Sequence, residues 1–497
     1  MRGFFVSAAA VASLAAPVTA AAYATNSSCC SLLSQELHGK VWGKNTTSYQ
    51  ERLTEYYSAN AALAPWCMVL PESTEDVSVI AQVISGHGCP FGMRSGAHSA
   101  WKGSNGVDHG ITVDFGHMNT TTYDESTKVA SIQPGSDWKR VFDTLDPYGV
   151  VSAGGRASVV GVGGFTTGGG YSFHSNLKGF ACDSVVNFEI VLANGTIINA
   201  NANENADLWK AQKGGSGNFG FVTRIDQAAI EGTSMWGGLT SYDFENRDAV
   251  FNAYINFAEN MDKDLASQNI ISMSYSQGNF TLTSILTNIH AEERAAAFDD
   301  YFVIPNISTT LRVAPVNELV PEFTGPTPLG LYANWFVGLS SNDFSALNTV
   351  DLKLKEYVAK MRSVAPESDF EILTMFQPVT QSMLNHGEAN GGNVLGLQAY
   401  VDDGPTIMWL VAVTIDTAAN QDKLLPLAIE LRNAINEQNR ADGTFKDFSY
   451  LNYSWKDQNP ISTYGEENIA LIKAAADKYD PQAVFQKLRR SGFKIPA

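Results

Sequence analysis

The stretch MRSGAHS, residues 93–99, places a single histidine, His98, in a short loop of small residues. Neither an H-x-x-x-H pair nor a G-x-S-x-G nucleophile motif occurs in the sequence, and no metal-ligating residue stands at suitable spacing from His98. A histidine nitrogen is a nucleophile, so a loop that held it against an electrophilic cofactor carbon could form a covalent bond. The alternative is an ordinary hydrogen-bonding role. The pattern predicts no metal site and makes His98 a candidate for covalent cofactor attachment.

Two glycine-rich stretches follow this loop, GVGGFTTGGGYS at 161–172 and GGSGNFG at 214–220. The second contains a G-x-G-x-x-G pattern, but a helix-like segment precedes it and a strand-like segment follows it, which is the reverse of a Rossmann site. Successive glycines still let the backbone approach a flat ring and direct N–H groups at a diphosphate, unless they only form tight turns. Three such loops together favour a bound dinucleotide.

The composition is that of a large, acidic, globular protein. The chain has 497 residues, of which 44% are hydrophobic and 17% charged, and this length suits two or three domains. The formal net charge of -18 argues against the basic surface that nucleic-acid binding requires.

Residues 1–24 have the features of a secretory signal: one early positive charge, an apolar run and small residues before an A-x-A-like site. The apolar run is shorter than the ~20 residues of a membrane span, so we predict a secreted protein rather than a membrane-anchored one. Seven N-x-S/T sequons support export with glycosylation. The predicted glycan sites are Asn26, Asn45, Asn119, Asn194, Asn279, Asn306 and Asn452.

Five cysteines leave at least one unpaired within a monomer. In an oxidising compartment we predict a bridge from the N-terminal CC pair, Cys30 or Cys29, to Cys89, just before the MRSGAHS loop. Cys67 and Cys182 are the other two, and the spacing does not suit a zinc site.

Apolar periodicity predicts mixed helices and strands in the first 230 residues. PESTEDVSVIAQVISG (71–86) predicts a helix with a capping box of Ser73 and Asp76 and a stop at Gly86. SDWKRVFDTLDPYG (136–149) predicts a second helix from its i, i+3, i+4, i+7 apolar spacing.

Strands dominate further along the chain. VVNFEIVLANGTIINA (185–200) predicts a hairpin with a type I′ turn at Asn194-Gly195. From about Ser234, long alternating segments separated by helix-like stretches predict antiparallel strands backed by helices. The last 50 residues include a helix.

Several motifs occur in the order found in one family of flavin enzymes. They are PFGMRSGAHSAWKGSNG, SAGGRASVVGVGGFTTGGGYSF, ACDSVVNFEIVLANG, GGSGNFGFVTR, YLNYSW and KYDPQAVF. In these motifs the chain resembles the berberine-bridge-enzyme-like FAD-linked oxidases of the vanillyl-alcohol-oxidase superfamily, and most of all secreted fungal members that oxidise sugars or natural products. The resemblance implies an oxidase with FAD as cofactor, a small-molecule substrate and molecular oxygen as its partners.

The resemblance also implies an α+β fold. A PCMH-type FAD-binding domain is formed from the N-terminal part, 25–233 with its core at about 62–233, and the C-terminal segment 441–497. A substrate domain of antiparallel sheet backed by helices, 234–440, is inserted between them, and a monomer is expected. By their places in the motifs, the residues implied in FAD binding are Arg94, Ser95, Gly96, Ala97, Ser99, Val160, Gly161, Gly163, Gly164, Gly168, Gly169, Gly170, Tyr171 and Asn452.

Five positions carry more specific implications. His98 corresponds to the family histidine that bonds to the flavin 8α-methyl group, and Ala97 replaces the usual second glycine before it. Ala157 stands where doubly linked relatives have a cysteine, so a single 8α-histidyl linkage is expected. Val160 corresponds to the oxygen gate, where valine accompanies reactivity toward O2, and Phe165 replaces a histidine that touches the flavin in many members.

Substrate oxidation also needs a base, and Tyr453 of YLNYSW corresponds to the tyrosine that relatives use, with Tyr450 as a second candidate. A tyrosine of ordinary pKa, about 10, needs positive charge or hydrogen bonds nearby to ionise. Ordinary strand aromatics are the alternative for both.

The leading hypothesis is a secreted oxidase of a small alcohol or phenolic natural product that releases hydrogen peroxide. A carbohydrate oxidase is the second, with Trp236, Tyr332 and Trp335 as candidates for an aromatic sugar-binding wall. A flavoprotein cyclase without net redox turnover is the third.

Overall fold

The computed structural model describes residues 26–497, with side-chain surroundings given from residue 28 onward. The predicted signal segment, 1–24, lies outside the described residues. Helices and mainly antiparallel sheets enclose one long cavity, and the predicted α+β class is confirmed.

The first part of the chain forms a small sheet that supports the histidine loop. Its elements are α1 (Asn26–Glu36), β1 (Val41–Gly43), α2 (Thr47–Leu53), β2 (Cys67–Val69), α3 (Thr74–His87), β3 (Phe91–Arg94) and β4 (Ile111–Asp114). The strand order is β1-β2-β4-β3, with β2, β4 and β3 parallel and β1 antiparallel. The MRSGAHS loop leaves the carboxyl end of β3, where parallel sheets commonly bind ligands.

Helix α3 begins as the sequence predicts and ends later. The Ser73 side chain accepts the Asp76 N–H at 3.3 Å, which satisfies one free donor of the first turn. The helix continues through Gly86 to His87, and Gly88, with φ +64°, caps it. The predicted stop at Gly86 is therefore wrong, because the left-handed conformation that glycine tolerates is needed at Gly88.

The second part forms a five-stranded antiparallel sheet, β5-β6-β10-β8-β9. Its elements are β5 (Thr121–Asp124), β6 (Val129–Ile132), α4 (Trp138–Leu145), β7 (Val150–Val151), α5 (Val162–Thr167), α6 (Ser175–Lys178), β8 (Val185–Val191), β9 (Ile197–Asn201), α7 (Ala206–Gly215), β10 (Phe221–Ala228) and β11 (Ile230–Glu231). The GGSGNFG stretch lies between α7 and β10, as its flanking pattern predicts.

The β8–β9 hairpin has a three-residue turn rather than the predicted type I′ turn. Gly195 donates its N–H to the Leu192 carbonyl at 2.9 Å, and Leu192 donates to the Thr196 carbonyl at 2.9 Å. Of the turn residues, Gly195 alone has a positive φ, +87°. The connection is therefore a type I turn followed by one left-handed residue, Gly195, because a type I′ turn needs two positive φ angles.

The third part is a nine-stranded antiparallel sheet backed by helices. Its elements are β12 (Ser234–Tyr242), α8 (Arg247–Glu259), β13 (Ser267–Ser276), β14 (Asn279–Asn288), α9 (Asp299–Phe302), β15 (Ser308–Thr309), β16 (Arg312–Pro315), α10 (Val316–Thr324), β17 (Tyr332–Ser341), α11 (Phe344–Val364), β18 (Glu371–Val379), α12 (Gln381–Ala389), β19 (Thr406–Ile415) and α13 (Ala418–Ala441). The order is β15-β12-β14-β13-β18-β19-β17, β16 also pairs with β12, and the ninth strand, β20 (Phe445–Lys446), pairs with β17.

Alternation along these strands separates a core face from a cavity face. On β18, Ile372 and Phe376 are buried in the cluster formed with α8, α11 and α13. Leu373 and Met375 face the opposite way and line the cavity. The sheet therefore supplies one wall of the site.

The C-terminal part returns to the first sheet. Its elements are β20 (Phe445–Lys446), which pairs with β17, α14 (Glu466–Tyr479) and α15 (Val484–Lys487). Beyond α15 the chain runs beside β3: Phe91 donates to the Leu488 carbonyl at 3.0 Å and accepts from Arg490 N–H at 2.7 Å. The segment around β3 and the C-terminal segment thus build the site together.

The N-terminal cysteines form two bridges, Cys29–Cys89 and Cys30–Cys67. The predicted Cys30–Cys89 pairing is wrong, and the alternative, Cys29 with Cys89, is present. Successive residues of α1 point about 100° apart on a helix of 3.6 residues per turn, so Cys29 and Cys30 reach different elements. Cys182 is free and buried.

Replacing Cys29 and Cys89 together by alanine should lower the free energy of unfolding by about 4 kcal/mol, because the bridge closes a long loop of the unfolded chain. The two cysteines are 60 residues apart. Denaturant unfolding of the double variant measures the loss. Cys182→Ala, which breaks no bridge, is the control, and equal stability of the double variant and the parent would contradict the prediction.

The sequons differ in exposure. Asn45, Asn194, Asn279 and Asn306 are exposed, and Asn119 is half-buried with its amide donated to the Gly116 carbonyl. Asn452 lines the cavity and donates to the Phe165 carbonyl at 3.0 Å. The amide nitrogen of Asn452 is thus engaged inside the protein, and glycosylation of the sequons stays a prediction. The Asn26 side chain lies outside the described residues.

No helix between residues 26 and 497 has the length and apolarity to cross a bilayer. Within the same range, no group of three or more histidine, cysteine or acidic side chains is arranged to hold a metal ion.

Candidate active site

A cavity of about 390 Å³ lies between the first two sheets and the large sheet. It brings together the MRSGAHS loop, the 161–172 loop, the GGSGNFG loop and the C-terminal segment. The predicted residues that line it are Arg94, Ser95, Gly96, Ala97, His98, Ser99, Val160, Gly161, Gly163, Gly164, Tyr171, Asn452 and Tyr453.

The first two loops touch backbone to backbone. A Cβ on Gly96 would lie 2.5 Å from Gly161 Cα, and a Cβ on Gly161 would lie 2.3 Å from Gly96 N. Side chains at either position would force the loops apart, so glycine is required at both. Ser95 adds a hydrogen bond from its hydroxyl to the Pro134 carbonyl at 2.5 Å.

An ion-pair network fixes the base of the histidine loop. Arg94 is buried, with its Nη1 3.4 Å from Asp114, and Arg52 donates two hydrogen bonds of 2.8 Å to the same carboxylate. Burial acts to raise the pKa of Asp114, but the two guanidinium groups outweigh it and lower the pKa overall. Glu55 lies 3.9 Å from Arg94 Nη2 and also pairs with Arg52, so two carboxylates balance the two guanidinium groups and the Arg94 charge is neutralised within the protein.

Ala97 takes a left-handed conformation, with φ +54°, which explains why a glycine is usual at this place. Its methyl group is buried against Tyr56 and Ala61. That contact offsets part of the backbone strain.

The ring of His98 is held between two aromatic rings on the cavity wall. It stacks on Tyr57 with a centroid distance of 3.9 Å and meets Trp335 edge-on at 5.5 Å. Burial lowers the pKa of His98 to about 4, because the imidazolium is poorly solvated there. The imidazole is thus neutral at physiological pH, the form in which its nitrogen is nucleophilic.

Gly168, Gly169, Gly170 and Tyr450 do not line the cavity. The buried Tyr450 hydroxyl accepts the Gly170 N–H at 2.7 Å and an amide N–H of Asn452 at 3.1 Å. A Cβ on Gly168 would lie 2.1 Å from the Asn452 Oδ1. These contacts hold the YLNYSW segment against the 161–172 loop. Tyr453 lines the cavity, and Tyr450 lies behind it in the protein interior.

Tyr453 lies beside a cation that the sequence analysis did not identify. Arg156 Nη2 donates to the Tyr453 hydroxyl oxygen at 3.1 Å and to Gln377 Oε1, and the Tyr453 hydroxyl is 3.3 Å from the same Gln377 oxygen. Trp335 meets the Tyr453 ring edge-on at 5.6 Å.

Of the three aromatics predicted for a sugar-binding wall, only Trp335 lines the cavity. Trp236 is buried in the core against Phe298, and Tyr332 is half-buried away from the site. These side chains do not form a shared platform, so that part of the prediction is wrong.

A second unpredicted cation, Arg489, is buried in the cavity wall. Its guanidinium donates to Asn218 Oδ1 at 2.6 Å and to the carbonyls of Phe485 and Phe493, yet no carboxylate of the described residues pairs with it. Burial lowers the pKa of Arg489 to about 9, which leaves it charged at neutral pH. A buried charge without a counter-ion is costly, so an anionic ligand is its natural partner.

Comparison with known proteins agrees with this geometry. Residues 65–201 match the FAD binding domain family. The FAD-dependent monooxygenase sdcF of Emericella nidulans is 36% identical over 94% of this chain and 98% of its own length. Berberine bridge enzyme from Eschscholzia californica has a similar structure, with a TM-score of 0.73 at 15% identity, covering 94% of this chain and 100% of that one. The xylooligosaccharide oxidase from Myceliophthora thermophila C1 gives 0.74 at 17% identity, covering 94% and 100%.

Proposed function

We propose that this chain, which belongs to the same family of FAD-dependent oxidoreductases as the monooxygenase sdcF and has the fold of berberine bridge enzyme, is a secreted oxidase of a small alcohol or phenolic natural product. When bound, FAD would accept hydride from the substrate and pass the electrons to O2, giving hydrogen peroxide. Two disulfides and four exposed sequons support secretion.

The residues of the cavity fit FAD. The buried, unpaired Arg489 suits the diphosphate, and the apposed backbones of Gly96 and Gly161 suit the close approach of a dinucleotide. A Cβ added to Gly164 would meet only open space on the cavity wall, where a flat ring needs room. His98 would hold the flavin by a single covalent bond, since Ala157 carries no sulfur for a second one.

The observation that carries the proposed reaction is the position of Tyr453 and Arg156 in the same cavity as His98. A hydroxyl close to a cation is a suitable base for a substrate O–H. We therefore assign Tyr453 as the base.

The substrate side of the cavity favours an apolar, flat molecule over a sugar. Its wall includes Ile270, Ile285, Leu373, Met375 and Phe323, side chains that offer no hydrogen bonds to sugar hydroxyls. The carbohydrate oxidase is thus less well supported than an oxidase of a natural product. The name of the Emericella nidulans relative favours a second candidate, an internal monooxygenase reaction in which the substrate supplies both electrons, one oxygen atom of O2 enters the substrate and the other leaves as water.

One screen tests these proposals. The holoenzyme is incubated under ¹⁸O2 with 4-hydroxybenzyl alcohol, benzyl alcohol, xylobiose and cellobiose, and peroxide, oxygen uptake and product mass are measured. Peroxide formed from the aromatic alcohols without label in the product supports the oxidase. Label in the product supports the monooxygenase, and activity on the sugars alone supports the carbohydrate oxidase.

Val160 is proposed as the oxygen gate beside the flavin. Val160→Leu should slow reoxidation of the reduced enzyme by O2 about tenfold, equivalent to about 1.4 kcal/mol of added barrier, because the longer side chain narrows oxygen access. Rapid mixing of reduced enzyme with oxygenated buffer gives the rate. The exposed neighbour Val159 provides the control variant Val159→Leu, and equal reoxidation rates for Val160→Leu and the parent would count against the gate.

Arg489 is proposed to pair with the diphosphate. In a His98→Ala background, from which flavin can be removed, Arg489→Met should weaken ADP binding at least about tenfold, since a charge-assisted hydrogen bond to phosphate is lost. The dependence of Tm on ADP concentration measures this. Arg490→Met, at the exposed adjacent position, should bind ADP as the parent does. Unchanged ADP binding in Arg489→Met would remove the assignment.

A further inference from the structure

The cavity is positively charged inside an acidic protein. Its lining includes three arginines, Arg94, Arg156 and Arg489, and no aspartate or glutamate among the described residues. The whole chain has a formal net charge of -18. Cations concentrated in an enclosed site of such a protein attract and orient anionic ligands.

Two of the three charges already have partners. Arg94 is paired with Asp114, and Arg489 has the diphosphate in the proposed function. Arg156 forms no ion pair with any described carboxylate, and it lies on the substrate side of the cavity, next to Tyr453. Its charge is the one left for the substrate.

The Arg156 guanidinium is held rigidly in place. It lies over the Tyr171 ring, 4.1 Å from the centroid, and Nη2 donates to Tyr453 and Gln377. The Tyr171 hydroxyl is in turn anchored on the Pro378 carbonyl. A stacked, hydrogen-bonded guanidinium loses little further entropy when it binds a ligand.

Part of the guanidinium has no protein partner. Nε and Nη1 of Arg156 donate to no acceptor in the described chain, and neither atom is among its fully buried, unsatisfied polar atoms. Arg156 therefore presents charged donors to the cavity, whose lining also includes apolar side chains of β13, β14 and β18.

We propose that Arg156 binds an anionic oxygen, a phenolate or a carboxylate, on an otherwise apolar aromatic substrate. This deepens the proposed function, because it names the chemistry of the substrate for the same site. The anion anchors the ring at Arg156, and the apolar wall of Ile270, Ile285, Leu373 and Met375 covers its face. An acidic aromatic is thus selected over a neutral one of the same shape.

Binding of matched probes to the holoenzyme tests this proposal without turnover. Benzoate and benzamide have nearly the same shape and differ in charge, and pentafluorophenolate against pentafluoroaniline makes the same comparison for a phenolate. Dissociation constants are obtained from the change in flavin absorbance on titration at neutral pH. We expect at least one of the two anions to bind about tenfold or more tightly than its neutral partner.

Variants test whether Arg156 causes the preference for anionic probes. Arg156→Met should abolish it, Arg156→Lys should keep part of it, and Arg440→Met should leave it unchanged, because Arg440 is stacked on Phe445 in the same way but lies far from the cavity lining. Flavin content and the visible spectrum show that each variant is folded. Binding is measured, rather than rate, because Arg156 also contacts Tyr453.

The outcomes separate this proposal from the proposed function. Equal affinity for both anions and their neutral partners, a preference that survives Arg156→Met, or absence of anion binding would each overturn the role of Arg156. An anion preference in an enzyme that releases no peroxide with any substrate would overturn the oxidase and leave the anion site standing.

Discussion

His98→Ala should yield a protein from which acid denaturation releases all of the flavin. In the parent, the yellow fluorescence should remain with the precipitated chain. The reason is chemical: His98 is the neutral imidazole in the cavity wall, between Tyr57 and Trp335, at the end of a loop fixed by Gly96 and Gly161. Fluorescence of the washed precipitate, and the mass of the peptide that contains residue 98, measure the effect.

His109→Ala is the matched control, because His109 is exposed and its side chain contacts nothing at the site. It should keep the covalent flavin. Since burial lowers the pKa of His98 to about 4, attachment of added FAD to flavin-free protein should be independent of pH above roughly pH 5 and slow as the pH falls through 4. Covalent flavin on the His98→Ala protein would mean that another residue forms the bond.

Much of the site is predictable because it is local in sequence. Gly96 and Gly161 are required by the close contact of their two backbones, and Gly168 by the nearby Asn452 side chain, whereas Gly164 faces open space. The capping box at Ser73 is equally local, and so is the strand that follows the third glycine loop.

What the sequence did not reveal depends on distant segments meeting. Arg156 matters because two distant residues converge on it in the fold. Gln377 is 221 residues away in sequence, and Tyr453 is 297 residues away. Arg489 is one of two adjacent arginines in the tail, and only burial distinguishes it from its exposed neighbour. The pairing of Cys29 rather than Cys30 with Cys89 likewise depends on how α1 is rotated against α3 and β2.

The cluster of Tyr453, Arg156 and Gln377 leads to the second large effect. Tyr453→Phe should lower the rate of flavin reduction by substrate about 10²- to 10⁴-fold, the usual contribution of a positioned base. Substrate affinity should change much less, because Arg156 and the apolar wall remain. Anaerobic stopped-flow mixing with the aromatic alcohol that the screen identifies separates the limiting rate from the affinity, and it should show the loss in the limiting rate.

The variant Tyr450→Phe tests which of the two tyrosines is the base. Its hydroxyl accepts the Gly170 N–H inside the protein, so its loss leaves a buried donor unpaired and should lower the free energy of unfolding by about 1–3 kcal/mol. Because Tyr450 does not line the cavity, the reduction rate should stay within a few-fold of the parent. A large rate loss in Tyr450→Phe with little loss in Tyr453→Phe would reverse the two roles. In that case the substrate proton would have to pass to Tyr450, whose hydroxyl lies behind the cavity wall and accepts hydrogen bonds from Gly170 and Asn452.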